Sequence, residues 1–122
     1  MHTIKIADRE IPLRYTMREL ADMEEQIGTM DAFRDLILKG RKRIRNIASA
    51  IRIMGNSGLA QEGKPADLTE DWILDHLRPQ ELRACQIAVL AAFTDGWAME
   101  TEQDKVHDET LEEIQRKKAP GN

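Results

Sequence analysis

The chain has 122 residues, a formal net charge of −4 at pH 7 and 33% charged residues, which suits a single domain and argues against a general nucleic-acid coat. No apolar run approaches the length that spans a bilayer, and the N-terminus lacks the basic segment and apolar core of a signal peptide, so we expect a cytoplasmic protein. The single cysteine, Cys85, cannot form an internal disulfide, which fits a reducing compartment.

A β-hairpin is predicted at the start of the chain. The apolar residues of each strand fall on one face, namely Ile4 and Ile6 in the first strand and Ile11, Leu13 and Tyr15 in the second. The polar sequence ADRE between them is typical of a turn. Because Pro12 lacks a backbone N–H, the second strand cannot be central, and its outer edge should face solvent or another chain.

The second strand leads into a capped helix. Thr16 and Glu19 have the spacing of a capping box, and Tyr15 and Leu20 that of a hydrophobic staple. Gly28 is predicted to end this helix. Its apolar stripe consists of Leu20, Met23 and Ile27.

Two further helices are predicted before residue 56. The sequence MDAFRDLILKG gives a short helix that ends at Gly40 and has Phe33, Leu36 and Ile37 on its apolar face. The sequence RKRIRNIASAIRIMG gives a third helix that ends at Gly55, with Ile44, Ile47, Ala48, Ile51 and Met54 at spacings of three and four. Residues 56–67 lack periodicity and are rich in Gly, Asn, Ser and Pro, which predicts a flexible loop.

The last two helices follow this loop. Asp67 or Thr69 can cap the segment EDWILDHL, which places Trp72, Ile73 and Leu77 on one side, and Pro79 opens the final helix. One apolar stripe of the final helix consists of Leu82, Cys85, Val89, Phe93 and Trp97, and a second consists of Ile87, Leu90 and Ala91. A helix that is apolar nearly all round is buried on several sides or is completed by a partner.

The fold class is therefore mainly α, with an N-terminal β-hairpin followed by about five helices in one small domain. We expect this domain to comprise residues 1–99. Residues 100–122 are highly charged, and we expect a weakly helical or disordered tail there.

The sequence predicts no catalytic, cofactor-binding or metal site. Asp71, Asp75 and His76 lie within about one helical turn, but a metal site needs three or four convergent ligands, so we expect a solvated helix face. Cys85 lies within an apolar stripe and is interpreted as a buried structural thiol. The sequence GNSG follows a helix and lacks the lysine of a phosphate-binding loop. A non-enzymatic protein is expected.

A basic cluster, defined as Lys39, Arg41, Lys42, Arg43 and Arg45, is the main charge feature. It could contact phosphates, which makes a small helical DNA-binding regulator the alternative function. It could also suit the end of one helix and the exposed side of the next, or bind an acidic partner or the acidic tail. Because the rest of the chain is acidic and repels phosphates, we do not expect nucleic-acid binding.

The segment IKIADREIPLRYTMRELADMEEQIG, residues 4–28, resembles the N-terminal segment of tail assembly chaperones from long-tailed bacteriophages and prophages. In that family a short hairpin leads into a helix with a recurrent pattern, matched here by Pro12, Leu13, Arg14, Thr16, Leu20, Met23, Glu24 and Gly28. The later helices look compatible with the family to about Met99. The basic cluster and the two tryptophans are not features of this family.

The resemblance implies a chaperone in the bacterial cytoplasm that keeps the helical tape measure protein soluble and promotes tail tube assembly. The stripe of Ile87, Leu90 and Ala91 is then the predicted binding face for a partner helix. The family also often has a longer form made by ribosomal frameshifting, which could recruit the major tail tube protein. Arg116, Lys117 and Lys118 are compatible with a slippery heptamer. The oligomeric state, including a homo-oligomer, stays open.

Overall fold

The computed structural model describes residues 2–102, with side chains described for residues 2–95. The elements in chain order are β1 (His2–Ile6), β2 (Arg9–Leu13), α1 (Met17–Gln26), α2 (Phe33–Leu38), α3 (Arg43–Gln61), α4 (Glu70–His76) and α5 (Leu82–Glu102). Single turns of 3-10 helix, Met30–Ala32 and Pro79–Glu81, lead into α2 and α5. The predicted class, a mainly α fold with an N-terminal hairpin and five helices, is confirmed. The first three residues of the predicted tail, 100–102, belong to α5, and the rest of the tail lies outside the described residues.

The hairpin is antiparallel and places Ile4 opposite Ile11. Its turn has only two residues, Ala7 and Asp8, with φ angles of 50° and 63°. Two successive residues with positive φ match the twist of the flanking strands. The turn is therefore shorter than the predicted ADRE segment, because Arg9 already pairs with Ile6.

Helix α3 is the centre of the core. It packs against β2 and against each of the other four helices. The largest fully buried side chains come from the hairpin and from all five helices: Ile6, Ile11, Leu13, Met23, Phe33, Ile37, Ile47, Ile51, Met54, Leu59, Ile73 and Val89. The apolar faces predicted for the hairpin and for the short second helix thus meet on α3.

Two glycines of α3 allow the helix to approach β2 closely. A Cβ atom at Gly58 would collide with the carbonyl oxygen of Pro12, and one at Gly55 would lie 2.7 Å from a methyl group of Ile11. The helix continues through both glycines to Gln61, so the prediction that it ends at Gly55 is wrong. Residues 56–61, which were predicted to belong to a flexible loop, are therefore helical. Pro12 is buried, so the expectation that the outer edge of β2 faces solvent or another chain is also wrong.

The helix caps follow local sequence signals. Thr16 is the N-cap of α1, and the side chain of Glu19 accepts a hydrogen bond from the Thr16 N–H at 2.6 Å. Thr69, one of the two predicted caps, is the N-cap of α4 and accepts from the Trp72 N–H at 3.0 Å. Asp67 instead accepts from the guanidinium of Arg9 at 2.6 Å, which ties the hairpin to the segment before α4.

Candidate protein-binding surface on the last helix

One side of α5 is buried in the core. Cys85, Gln86 and Val89 are buried, and Leu82 and Phe93 are half-buried. The first predicted stripe therefore faces the core as far as Phe93, and the Trp97 side chain lies outside the described side chains.

The second predicted stripe lies at the surface in part. Ile87 has 58% of its area exposed, whereas Leu90 and Ala91 are half-buried and Leu90 packs against the core. Among the described side chains, the other large exposed hydrophobic residue is Met17 on α1, at 66%. We call Ile87, Leu90 and Ala91 the apolar face of α5. Ile87 is its most accessible member.

A buried amide connects α5 to the end of α2. Gln86 is 5% exposed, and its Nε2 donates to the carbonyl oxygen of Ile37 at 2.9 Å. Asn46 of α3 donates in the same way to the carbonyl oxygen of Leu36, also at 2.9 Å. The last carbonyl groups of a helix have no partner within it. The two amides thus supply hydrogen-bond donors to two of the last carbonyl groups of α2 and hold its end against α3 and α5.

The apolar face of α5 begins, at Leu90, near the side of the helix that contacts α2. Successive residues of an α-helix are rotated by about 100°, so Leu90 lies one turn beyond Gln86 on nearly the same side, and Ile87 is displaced from Gln86 toward solvent. On the other flank, the side chain of Asp95 is hydrogen-bonded to the imidazole of His2 on β1. The exposed Ile87 therefore lies on the solvent side of α5, between the side that contacts α2 and the flank that contacts the hairpin.

The basic cluster begins directly after α2 and continues into the first turn of α3. Its five side chains are all exposed. Lys39 Nζ lies 3.8 Å from Asp35, and the Arg43 guanidinium donates to the carbonyl oxygen of Gly40 at 3.1 Å. Gly40 adopts a φ of +84°, which glycine takes without strain. No ion pair joins the remaining three cations to a carboxylate within the described part of the chain.

The helix dipoles favour only one cation of the basic cluster. Lys39 follows the C-terminus of α2, where a cation interacts favourably with the helix dipole. Arg43 and Arg45, however, lie in the first turn of α3, where the helix dipole is positive and disfavours cations. The interpretation that the cations suit the end of one helix and the exposed side of the next is therefore consistent with Lys39 at the end of α2 and with the exposed Arg43 and Arg45 on α3, although the dipole of α3 does not stabilise the latter two.

The other residues considered as sites have structural environments. Burial, together with the charge of Glu81, raises the pKa of the Cys85 thiol to about 11, so Cys85 is not an activated nucleophile. His76 Nδ1 lies 2.8 Å from the Trp72 carbonyl oxygen, and its ring stacks on Trp72. No group of residues suited to a metal ion occurs among residues 2–95, whose side chains are described.

A polar cleft between α1 and α3 was not predicted from the sequence. It has a volume of about 470 Å³, and its lining includes Arg14, Arg18, Asp22 and Arg52. Arg52 is already bound, because its Nε lies 3.2 Å from a carboxylate oxygen of Glu70. The mixture of cations and carboxylates gives no clear preference for a charged ligand.

No family model matches the sequence, no curated protein is similar to it, and no solved structure resembles it at a significant level. Within residues 2–102, no helix combines the length and apolar character required to cross a membrane. The inference of function therefore depends on the resemblance of residues 4–28 and on the surfaces described above.

Proposed function

We propose that the protein is a tail assembly chaperone of a long-tailed bacteriophage or prophage, acting in the cytoplasm of the bacterial host. It would bind the tape measure protein, keep it soluble and promote assembly of the tail tube around it. The observation that carries the proposal is Ile87, a large hydrophobic side chain that is exposed on α5 beside the half-buried Leu90 and Ala91. The resemblance of residues 4–28 to this family supports it.

The apolar face of α5 has the chemistry required to bind a helix. Residues 87, 90 and 91 have the spacing of one helical face, which suits helix-in-groove recognition. Full burial of one isoleucine side chain contributes about 1.5–3 kcal/mol. A contact of this size is reversible, as a chaperone needs, and its repetition along a long partner would raise the overall affinity.

Coexpression with the tape measure protein tests this proposal. The wild-type chain should keep the tape measure protein in the soluble fraction and copurify with it, whereas Ile87→Asp should lose both effects because it places a charge on the binding face. Met17→Asp is the matched control, since Met17 is at least as exposed as Ile87 but lies on α1. Equal loss with both variants would contradict the assignment of the surface, and failure of the wild type would contradict the function.

A DNA-binding regulator is the second candidate, favoured by the exposed basic cluster on the link before α3. The net charge of −4 opposes it. We expect DNA affinity no tighter than the non-specific range of about 10⁻⁴–10⁻⁶ M at physiological salt. A sequence-selective nanomolar complex, lost when Arg41, Lys42 and Arg43 are neutralised, would replace the chaperone proposal.

The proposal includes a longer product that binds the major tail tube protein. Arg116, Lys117 and Lys118, where the frameshift is predicted, lie outside the described residues. The nucleotides of these codons test the prediction, because slippage needs a run such as A AAA AAG. Mass spectrometry that finds only the 122-residue product during phage expression would contradict it.

A further inference from the structure

We propose that the apolar face of α5 and the basic cluster form one composite surface, which selects an amphipathic helix whose apolar stripe is flanked by carboxylates. This inference rests on the proposed function and specifies the chemistry of the partner helix. It combines two features of the sequence, the second apolar stripe of α5 and the run of cations, that are distant in the chain.

The contact between α2 and α5 brings the two features together. The Gln86 amide is bonded to the carbonyl oxygen of Ile37 at 2.9 Å, and Lys39 follows only two residues later. Ile87 adjoins Gln86 in the chain and is turned toward solvent. The basic cluster therefore begins beside the apolar face of α5 and continues away from it into α3.

The charged side chains around this surface are mostly cations. Arg83 is exposed and lies one helical turn before Ile87 on the same side of α5. Asp35 lies 3.8 Å from Lys39 and offsets its charge, and Asp95 contacts His2 on the opposite flank. Arg41, Lys42, Arg45 and Arg83 have no carboxylate partner in the described part of the chain. A partner with carboxylates beside its apolar stripe is thus complementary in charge, and one with lysines there is repelled.

The end of the basic cluster is held in a defined conformation. Asn46 binds the carbonyl oxygen of Leu36, and the Arg43 side chain binds the carbonyl oxygen of Gly40. Both bonds restrict the link between α2 and α3 before any partner binds. A preordered link lowers the conformational entropy that binding must remove, which increases affinity.

Two synthetic peptides test the inference directly on the full-length protein. Both form amphipathic helices with the same leucine stripe, but glutamates flank the stripe in one and lysines in the other. Fluorescence anisotropy should show the glutamate peptide binding about tenfold more tightly, as several surface ion pairs acting together would give. The ratio should fall as salt rises, because exposed charges are screened.

Substitutions then assign the preference to the cluster. The triple variant Arg41→Gln, Lys42→Gln and Arg45→Gln should lower the affinity ratio markedly, with the remainder due to Lys39, Arg43 and Arg83. A control with the same change in net charge, made at the exposed cations Lys5, Arg18 and Lys64, should keep the ratio. Ile87→Asp should weaken both peptides, since the apolar contact is common to them.

Each contrary outcome overturns the inference. Equal affinity for the two peptides, binding of neither, or an identical effect of both triple variants would show that the cluster does not select an acidic partner. Displacement of the glutamate peptide by an equimolar DNA duplex would assign the cations to nucleic acid, and blockage of the surface by concentration-dependent self-association would assign it to a second copy. The coexpression experiment separates these failures from failure of the proposed function, because it measures the tape measure protein itself.

Discussion

The side-chain amide of Gln86 on α5 donates a hydrogen bond to the carbonyl oxygen of Ile37 at the end of α2, over 2.9 Å. This contact joins two elements that are distant in the chain and completes the C-terminus of a helix of six residues. Ile87, which follows Gln86, is exposed, and Lys39, the first residue of the basic cluster, follows Ile37 by two residues. The geometry of the proposed binding surface depends on this bond.

Replacing Gln86 by leucine should destabilise the fold. The substitution preserves the approximate volume but leaves the Ile37 carbonyl group buried without a partner, which costs about 1–3 kcal/mol. Gln80→Leu is the matched control, because Gln80 is exposed on the 3-10 turn before α5. Urea denaturation measures both variants. Equal unfolding midpoints would show that the bond contributes nothing.

The capping box of α1 should contribute to stability rather than to binding. Thr16→Ala removes the side chain that interacts with Glu19 at the start of the helix, and should lower the free energy of unfolding by about 1 kcal/mol. Thr29→Ala provides the comparison, since Thr29 also precedes a helical turn but makes no cap hydrogen bond. If both variants unfold at the wild-type midpoint, the cap is not a source of stability.

Gly58→Ala should lower the stability of the fold, which is the opposite of the usual effect of this substitution in a helix. Gly→Ala within a helix ordinarily stabilises by about 0.5–1 kcal/mol. Here the new methyl group would collide with the Pro12 carbonyl oxygen, so α3 and β2 must separate. Overpacking of this kind costs about 1–3 kcal/mol.

Gly55→Ala serves as the milder comparison for Gly58→Ala. A Cβ atom at Gly55 would meet the ends of two side chains, Ile11 and Leu68, at 2.7 Å, and side chains can move more easily than backbone. Thermal denaturation should therefore rank Gly58→Ala below Gly55→Ala in stability. A stabilised Gly58→Ala variant would mean that α3 does not lie this close to β2.

The buried thiol of Cys85 predicts a loss of stability in alkaline solution. Burial raises its pKa from about 9 in the unfolded chain to about 11 in the fold, so the fold favours the protonated thiol. This contribution is complete below pH 9 and is lost as pH rises toward 11, since the unfolded state then releases the proton more readily. Wild type should lose more stability over this interval than Cys85→Ala, measured by urea denaturation. Parallel pH dependence would contradict the raised pKa.

The sequence predicts the hairpin and the starts of the helices because these depend on local interactions. Alternation of apolar residues, the pairing of Thr16 with Glu19 and the position of Pro79 each operate within a few residues. The length of α3 could not be predicted in this way. Glycine is typical of a helix end, but Gly55 lies within α3, where the absence of a side chain allows close contact with Ile11 of β2.

The residue types of the proposed binding surface could be predicted from the sequence, but the exposure of each residue could not. The spacing of Ile87, Leu90 and Ala91 identifies a second apolar stripe, but which member reaches solvent depends on how α5 packs against its neighbours. Gln86 could not be assigned from the sequence, because its partner is a backbone carbonyl group of another helix. The only sequence signal was a polar residue within an apolar segment.

Site-specific photocrosslinking most directly tests whether the apolar face of α5 contacts the tape measure protein. A photoreactive amino acid is introduced in place of Ile87 in one variant and in place of Met17 in another, since both positions are exposed. After coexpression and irradiation, the variant at position 87 should crosslink to the tape measure protein and the variant at position 17 should not. Absence of a crosslink from position 87, in cells where the unmodified chain keeps the tape measure protein soluble, would contradict the account.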